Sequence, residues 1–124
     1  MLARAKRPAT VRAWAYEGIT SMYENLLPIG SVVLLEGGTK RVVVMGRIVT
    51  PGETTKIYDY VGCLYPEGMT DLDSFYFFDH DSIERVYFIG FQDPEELQFR
   101  AEKLAPLGEL YVNDEGQIVE RPAE

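Results

Sequence analysis

The chain has 124 residues, of which 46% are apolar and 26% are charged, a composition that fits one globular domain and excludes a disordered or low-complexity chain. Its 20 acidic and 12 basic residues give a formal net charge of −8. This surplus of acidic groups disfavours nucleic acid as a partner and leaves a basic protein surface as a suitable one.

Cysteine usage and the first residues indicate the compartment. Cys63 is the only cysteine, so the chain forms no internal disulfide and suits a reducing cytoplasm. Four basic residues lie among the first twelve, but Glu17 and Glu24 follow them, and no uninterrupted apolar run exceeds four residues. We therefore expect a cytoplasmic protein with neither a cleavable signal nor a membrane-spanning segment.

The first regular pattern in the chain begins at Thr10. Residues 1–8 are basic and end at a proline, and we expect them to be frayed. Over residues 10–27 apolar side chains recur every three to four positions, with Thr10 as a suitable N-cap and Pro28 as the stop. This spacing predicts an N-terminal helix over residues 10–27.

Residues 31–91 are predicted to form a twisted antiparallel sheet of about five strands in meander order. The first two strands are apolar at consecutive positions and flank a Gly-Gly-Thr turn, so they predict a hairpin with both sheet faces covered. A single helical turn is predicted at 81–84. The predicted strands are residues 31–36, 40–45, 57–65, 75–78 and 86–91.

The C-terminal part of the chain combines a helix signal with a turn signal. Asp93 is a suitable N-cap, Pro94 follows at the first helical position, and Glu96 lies three residues after the cap, which predicts a helix over 93–104. A polar turn at 113–116 predicts a small hairpin over 109–120. The whole pattern predicts a single α+β domain over residues 1–124.

Few residues are candidates for catalysis. His80 is the only histidine, and no local signature joins it to Cys63 as base and nucleophile. The run Gly37-Gly38-Thr39-Lys40 leads into a strand instead of a helix, which favours a hairpin turn over a phosphate-binding loop. We expect no catalytic residue and no cofactor.

Four aspartates bracket a predicted aromatic strand and are candidate ligands for a hard cation, with His80 nearby. The spacing of a calcium-binding loop is absent, and helix capping or solvated loops account for the same residues. We expect no metal, and a metal-dependent enzyme is kept as the third hypothesis. These aspartates are Asp71, Asp73, Asp79 and Asp81.

Aromatic residues are concentrated between Tyr58 and Phe91, in excess of what the core of one meander needs. Strand alternation places them on both faces of the sheet. Either helices cover both faces, or some of these rings form a protein-binding face with an acidic rim, since tyrosine is enriched in interface hot spots. The candidate partner-binding residues are Tyr58, Tyr60, Tyr76, Phe78, Tyr87, Ile89 and Phe91.

Several motifs occur in an order that resembles a known bacterial family. The motifs include Leu27-Pro28-Ile29-Gly30-Ser31, Gly37-Gly38-Thr39-Lys40 and Tyr65-Pro66-Glu67-Gly68. In this order they resemble the family catalogued as domain of unknown function 4176, over about residues 26–99. Members are encoded in Gram-positive bacteria beside type seven secretion effectors, particularly toxins with an LXG helical targeting domain, and some act as accessory chaperones for them.

The resemblance implies a non-catalytic accessory protein or chaperone that binds the helical targeting region of a co-encoded toxin before export. A second hypothesis is an immunity protein that uses its acidic face to block a toxin's active site. The two differ in the region bound, because a chaperone binds the amino-terminal targeting region and an immunity protein binds the carboxy-terminal toxic domain. Neither nucleic acid nor membrane insertion is expected, and the oligomeric state is left open.

Overall fold

A computed structural model of the chain describes residues 23–122, which contain a five-stranded antiparallel sheet, one helix and a separate two-stranded hairpin. The order across the large sheet is β4-β3-β2-β1-β5. The predicted five-stranded antiparallel sheet is confirmed, but the meander order is wrong at β5, which returns to pair with β1. The strands are β1 (Val32–Leu35), β2 (Arg41–Val49), β3 (Tyr58–Tyr65), β4 (Tyr76–Phe78) and β5 (Ile83–Phe88).

The short link between β4 and β5 requires the sheet to curl. Only four residues join Phe78 to Ile83, and three of them form a 3-10 turn, His80–Ser82. In a flat sheet of five strands, the two edge strands would lie about 19 Å apart. Even a fully extended chain from Phe78 to Ile83 would span only about 17 Å, and the 3-10 turn makes this distance shorter. The sheet is therefore curled towards closure, which brings its two edges near each other.

The predicted hairpin of β1 and β2 is confirmed, with Val32 opposite Val43 and Leu34 opposite Arg41. Gly37 lies in the turn with a φ of 78°, a conformation that glycine adopts without a steric cost. β2 runs four residues beyond its predicted end, because after an irregularity between Val44 and Gly46 it continues to pair with β3. Such an irregularity bends a strand and so contributes to the curl.

The core lies on the concave face of the sheet. Tyr60 on β3 and Phe78 on β4 are fully buried, and their rings stack with centroids 5.2 Å apart. Leu26 enters this core from the start of the described residues and Leu104 from the helical segment. The buried cluster comprises Tyr23, Leu26, Val33, Leu35, Val42, Val44, Tyr60, Phe78 and Leu104.

The predicted C-terminal helix is confirmed. Helix α1 (Pro94–Phe99) continues as a π-helical turn, Arg100–Leu104, so the helical segment covers the predicted range. The Asp93 carboxylate caps it by accepting the Glu96 N–H at 3.0 Å. The helical segment packs on the concave face through Leu104. The expected cover of the second face stays a prediction, because residues 10–22 of the expected N-terminal helix lie outside the described residues. No helix in this part of the chain is long and apolar enough to cross a membrane.

Two predicted boundaries differ from the structure. Ile83 and Glu84 were expected in a helical turn but open β5, and that strand ends at Phe88 instead of residue 91. The expected helical turn is the 3-10 turn that precedes them. The terminal hairpin is confirmed and consists of β6 (Leu110–Val112) and β7 (Ile118–Glu120), which pair only with each other among the described residues.

The predicted N-terminal elements fall largely outside the described residues. The expected frayed segment, residues 1–8, lies there entirely, as do residues 10–22 of the expected helix over 10–27. Residues 23–27, the expected last turns of that helix, form a bend and a turn in place of helix.

Candidate partner-binding surface

Four of the seven predicted partner-binding residues lie in or against the protein interior. Tyr60 and Phe78 have no exposed side-chain surface, and Tyr58 is only 3% exposed. Tyr76 is half-buried and packs against the core cluster. The structure therefore assigns these four rings to the packing of the sheet and not to a binding face.

The other three predicted residues are exposed and belong to a longer apolar stretch. Tyr87, Ile89 and Phe91 have exposed fractions of 48%, 52% and 77%. Val86, which precedes them, and Phe88, which lies among them, are also exposed, although strand alternation did not place them in the candidate set. We call this stretch the 86–91 ridge, and it comprises Val86, Tyr87, Phe88, Ile89 and Phe91. Contiguous exposed apolar side chains of this kind mark interaction sites.

Strand alternation missed Val86 and Phe88 because β5 is an irregular edge strand. Its register against β1 is interrupted at two places, which leaves Glu84 and Tyr87 without a directly opposite residue. Among the described residues β5 pairs only with β1, so its other edge has no neighbouring strand. Irregularities and charged residues at an edge interrupt the ladder that an added strand would need. The ridge therefore offers its side chains, more than its backbone, to a partner.

Gly90 fixes the end of the ridge against the turn that precedes β1. A Cβ at this position would overlap the carbonyl oxygen of Ile29, so only glycine allows the two segments to approach this closely. The Gly90 N–H donates to the buried Ser31 hydroxyl at 2.9 Å, and that hydroxyl donates to the Pro28 carbonyl at 2.7 Å. This packing places the side chains of Ile29 and Phe91 beside the same cleft.

A cleft of about 500 Å³ opens beside the ridge. Three apolar side chains and one arginine line it, together with three carboxylates from the start of α1. The Asp93 carboxylate caps the helix and Glu96 is ion-paired, whereas Glu95 makes neither a capping hydrogen bond nor an ion pair among residues 23–122. The lining residues are Ile29, Arg47, Phe91, Asp93, Glu95, Glu96 and Phe99.

A buried ion-pair cluster forms one wall of this cleft. Arg47 on β2 donates two hydrogen bonds to the Glu96 carboxylate, at 2.9 and 3.1 Å, and Arg100 donates a third at 2.9 Å. The hydrogen bond from Arg47 is the main cause that lowers the pKa of Glu96. Arg47 also lies over the Phe99 ring, 5.5 Å from its centroid. The cluster therefore holds α1, and the apolar wall it carries, against the sheet.

His80, the only histidine in the sequence, contacts a tyrosine of the core. The Tyr60 hydroxyl accepts the Leu27 N–H at 2.8 Å and lies 2.6 Å from His80 Nδ1. Burial raises the pKa of Tyr60, so its hydroxyl stays protonated and links the Leu27 backbone to the His80 imidazole. Cys63 is an odd-numbered residue of β3 and faces away from Tyr60, so the structure does not bring Cys63 and His80 together.

The four candidate metal-binding aspartates do not converge. Asp71 accepts the Asp73 N–H at 2.8 Å within its own loop, while Asp79 accepts the Asp59 N–H and an ammonium proton of Lys56. Within residues 23–122 no group of three or more histidine, cysteine, aspartate or glutamate side chains is placed to share a metal ion. Asp81 lies in the 3-10 turn.

Comparison with known families accounts for the motif order. The family model described as a domain of unknown function, DUF4176, matches residues 26–99. The chain belongs to the DUF4176 family. In this DUF4176 protein the matched residues run from the core leucine Leu26 to the end of α1, so they include the 86–91 ridge and every residue that lines the cleft. No curated protein and no solved structure matches the chain.

Proposed function

We propose that this DUF4176 protein is a non-catalytic accessory protein that binds a co-encoded LXG-type toxin of the type seven secretion system inside the producing cell. The toxin's helical targeting region would dock on the 86–91 ridge and the adjacent cleft. One observation carries the proposal: exposed apolar side chains of the ridge continue into an apolar cleft with carboxylates at its rim.

The shape of this surface favours a helix as the docked element. A helix that binds in a groove inserts side chains spaced three and four positions apart, and it needs apolar walls to receive them. Ile29, Phe91 and Phe99 provide such walls here. The irregular register of β5 makes strand addition the weaker alternative.

Charge at the rim indicates which face of a helix would fit. Glu95 is exposed and makes no ion pair among residues 23–122, and Asp93 lies beside it. Beyond Tyr58 the chain carries sixteen acidic and four basic residues, so its field attracts cations towards this half. A helix with lysine or arginine residues flanking its apolar stripe would therefore be both steered to the cleft and paired at its rim.

Co-expression with the toxin encoded beside it tests the proposal. The toxin is supplied as two separate fragments, the amino-terminal helical region and the carboxy-terminal toxic domain. We expect the helical region to co-purify and Phe91→Ser to weaken its binding at least about tenfold, as for a hot-spot aromatic residue. Leu72→Ser is the matched control, because Leu72 is 84% exposed but lies in a loop outside the ridge and the cleft.

The fragment that binds decides between the two protein-binding hypotheses. Capture of the toxic domain alone would assign the immunity role and refute the accessory role. If neither fragment binds, or if Phe91→Ser and Leu72→Ser act alike, the docking surface proposed here is not the toxin-binding site.

A further inference from the structure

Two arginines and two tyrosines form one row on the outer face of the sheet, opposite the core. The Arg41 Cζ atom lies 5.2 Å from the ring centroid of Tyr65 and 5.5 Å from that of Tyr87. The Arg85 Cζ atom lies 5.7 Å from the same Tyr87 ring. We call these four side chains the Arg-Tyr ladder.

The register of the sheet explains why these residues meet. Arg41 lies directly opposite Tyr65 on β3 and opposite Leu34 on β1. On the other side of β1, Arg85 of β5 also lies opposite Leu34. Residues directly opposite each other in neighbouring strands share a face. The ladder thus extends across β3, β2, β1 and β5, and all four of its side chains are exposed.

The arginines of the ladder differ from the other arginines of the described chain in having no carboxylate partner. Of the five arginines in residues 23–122, Arg47, Arg100 and Arg121 lie within 4.0 Å of a carboxylate. Arg41 and Arg85 have no carboxylate of residues 23–122 within that distance, although acidic residues outnumber basic residues 20 to 12 in the chain. Two adjacent unpaired guanidinium groups on an acidic protein are a local charge excess that a partner can neutralise.

We infer that the Arg-Tyr ladder binds an acidic segment of a partner polypeptide. A guanidinium group stacked on a ring face keeps its N–H edges free, and these edges fit the two oxygens of a carboxylate. The rings hold both arginines in place, so less side-chain entropy is lost on binding. The net charge of −8 repels polyanions such as nucleic acid over longer distances, which favours a short peptide segment.

This inference does not depend on the proposed toxin-binding role. The ladder recognises carboxylates, whereas the cleft is apolar with an acidic rim, so the two surfaces require opposite charges in their partners. Tyr87 belongs to both the ridge and the ladder. Failure of the toxin experiment would leave the ladder untouched, and failure of the experiment below would leave the cleft untouched.

Titration of isotope-labelled protein with an end-capped glutamate peptide, followed by NMR, tests the inference. Saturable shifts are expected at the side-chain N–H groups of Arg41 and Arg85 and at the amide of Tyr87. The double substitution Arg41→Gln with Arg85→Gln should weaken binding at least about tenfold. Arg121→Gln is the matched control, because Arg121 also lies over a tyrosine ring, at 4.6 Å from Tyr111, but is paired with Glu109 at 3.4 Å.

Several outcomes would overturn the inference. One is the lack of saturable shifts, and another is shifts that survive the double substitution. A third is that inorganic phosphate produces the same shifts with equal affinity, which would indicate an unspecific anion site. If the double glutamine variant does not fold, Arg41→Lys with Arg85→Lys keeps both charges but removes the planar donors. Binding should still weaken in that variant, and unchanged affinity would count against the ladder.

Discussion

Arg47 on β2 and Glu96 on α1 lie 49 residues apart in the sequence and form a two-point ion pair, with Nη1–Oε2 at 2.9 Å and Nη2–Oε1 at 3.1 Å. Their side chains are 9% and 13% exposed. The pair directly connects the sheet to the helix that carries Phe99. Because Phe99 lines the cleft, the ion pair positions the candidate binding surface as well as stabilising the fold.

Replacement of Glu96 by glutamine should lower the free energy of unfolding by about 3 kcal/mol, because Arg47 and Arg100 would keep largely buried charges without a carboxylate. Urea denaturation measures the change. Glu67→Gln is the control: its ion pair with Lys40 has the same 2.9 Å distance but is about half exposed, so the midpoint should not move. Equal losses in the two variants would show that burial of the pair is not the cause.

The stability of the protein should decrease in acid through Glu96. Its pKa in the folded state lies below the ordinary value of 4.5, so the carboxylate contributes stability that is complete above 4.5 and is lost as the pH falls through the folded-state pKa. Urea unfolding from about pH 6 to about pH 3 should show this decline, and Glu96→Gln should flatten it. A profile equally steep in the variant would assign the decline to other groups.

Removal of the Tyr60 hydroxyl should destabilise the core. Tyr60→Phe removes the acceptor of the Leu27 N–H and the hydroxyl that contacts His80 Nδ1, at a cost of about 1–3 kcal/mol. Thermal unfolding measures the loss. Tyr58→Phe is a suitable control on the same strand, since Tyr58 is also buried but its hydroxyl makes no hydrogen bond within residues 23–122. A comparable loss in the control would contradict this account.

Substitution of Gly90 should separate the ridge from the turn before β1. Gly90→Ala places a Cβ onto the Ile29 carbonyl oxygen, and relief of this overlap should cost about 1–3 kcal/mol. Chemical denaturation is the measurement, with Gly108→Ala as the comparison, because a Cβ there meets only the carboxylate at the far end of the Glu120 side chain, at 3.2 Å. No destabilisation in Gly90→Ala would mean that the two segments move apart freely.

Local sequence patterns predicted most of the strands and the C-terminal helix, since the signals lie within a few residues of each element. The Gly-Gly-Thr turn predicted the first hairpin, and Asp93 with Pro94 and Glu96 predicted α1, including the capping hydrogen bond to the Glu96 N–H. The start of β5 was misplaced because two register irregularities disturb the alternation on which strand predictions depend.

The candidate site was only partly predictable. Tyr87, Ile89 and Phe91 were selected from the aromatic excess and are exposed, but the same reasoning selected Tyr60 and Phe78, which are fully buried. Composition cannot separate these cases, because an aromatic residue on a strand is buried or exposed according to what packs against that strand.

The amino-acid order alone determined the antiparallel strands, the turns, the capped helix and the membership of the DUF4176 family, since these depend on neighbouring residues and on motif order. Tertiary structure decided which edge β5 joins and which rings the core encloses. It also decided that Arg47 meets Glu96, and that Arg41 and Arg85 both lie over the Tyr87 ring. Pairing across four strands and over tens of residues is set by the curl of the whole sheet, which no local pattern encodes.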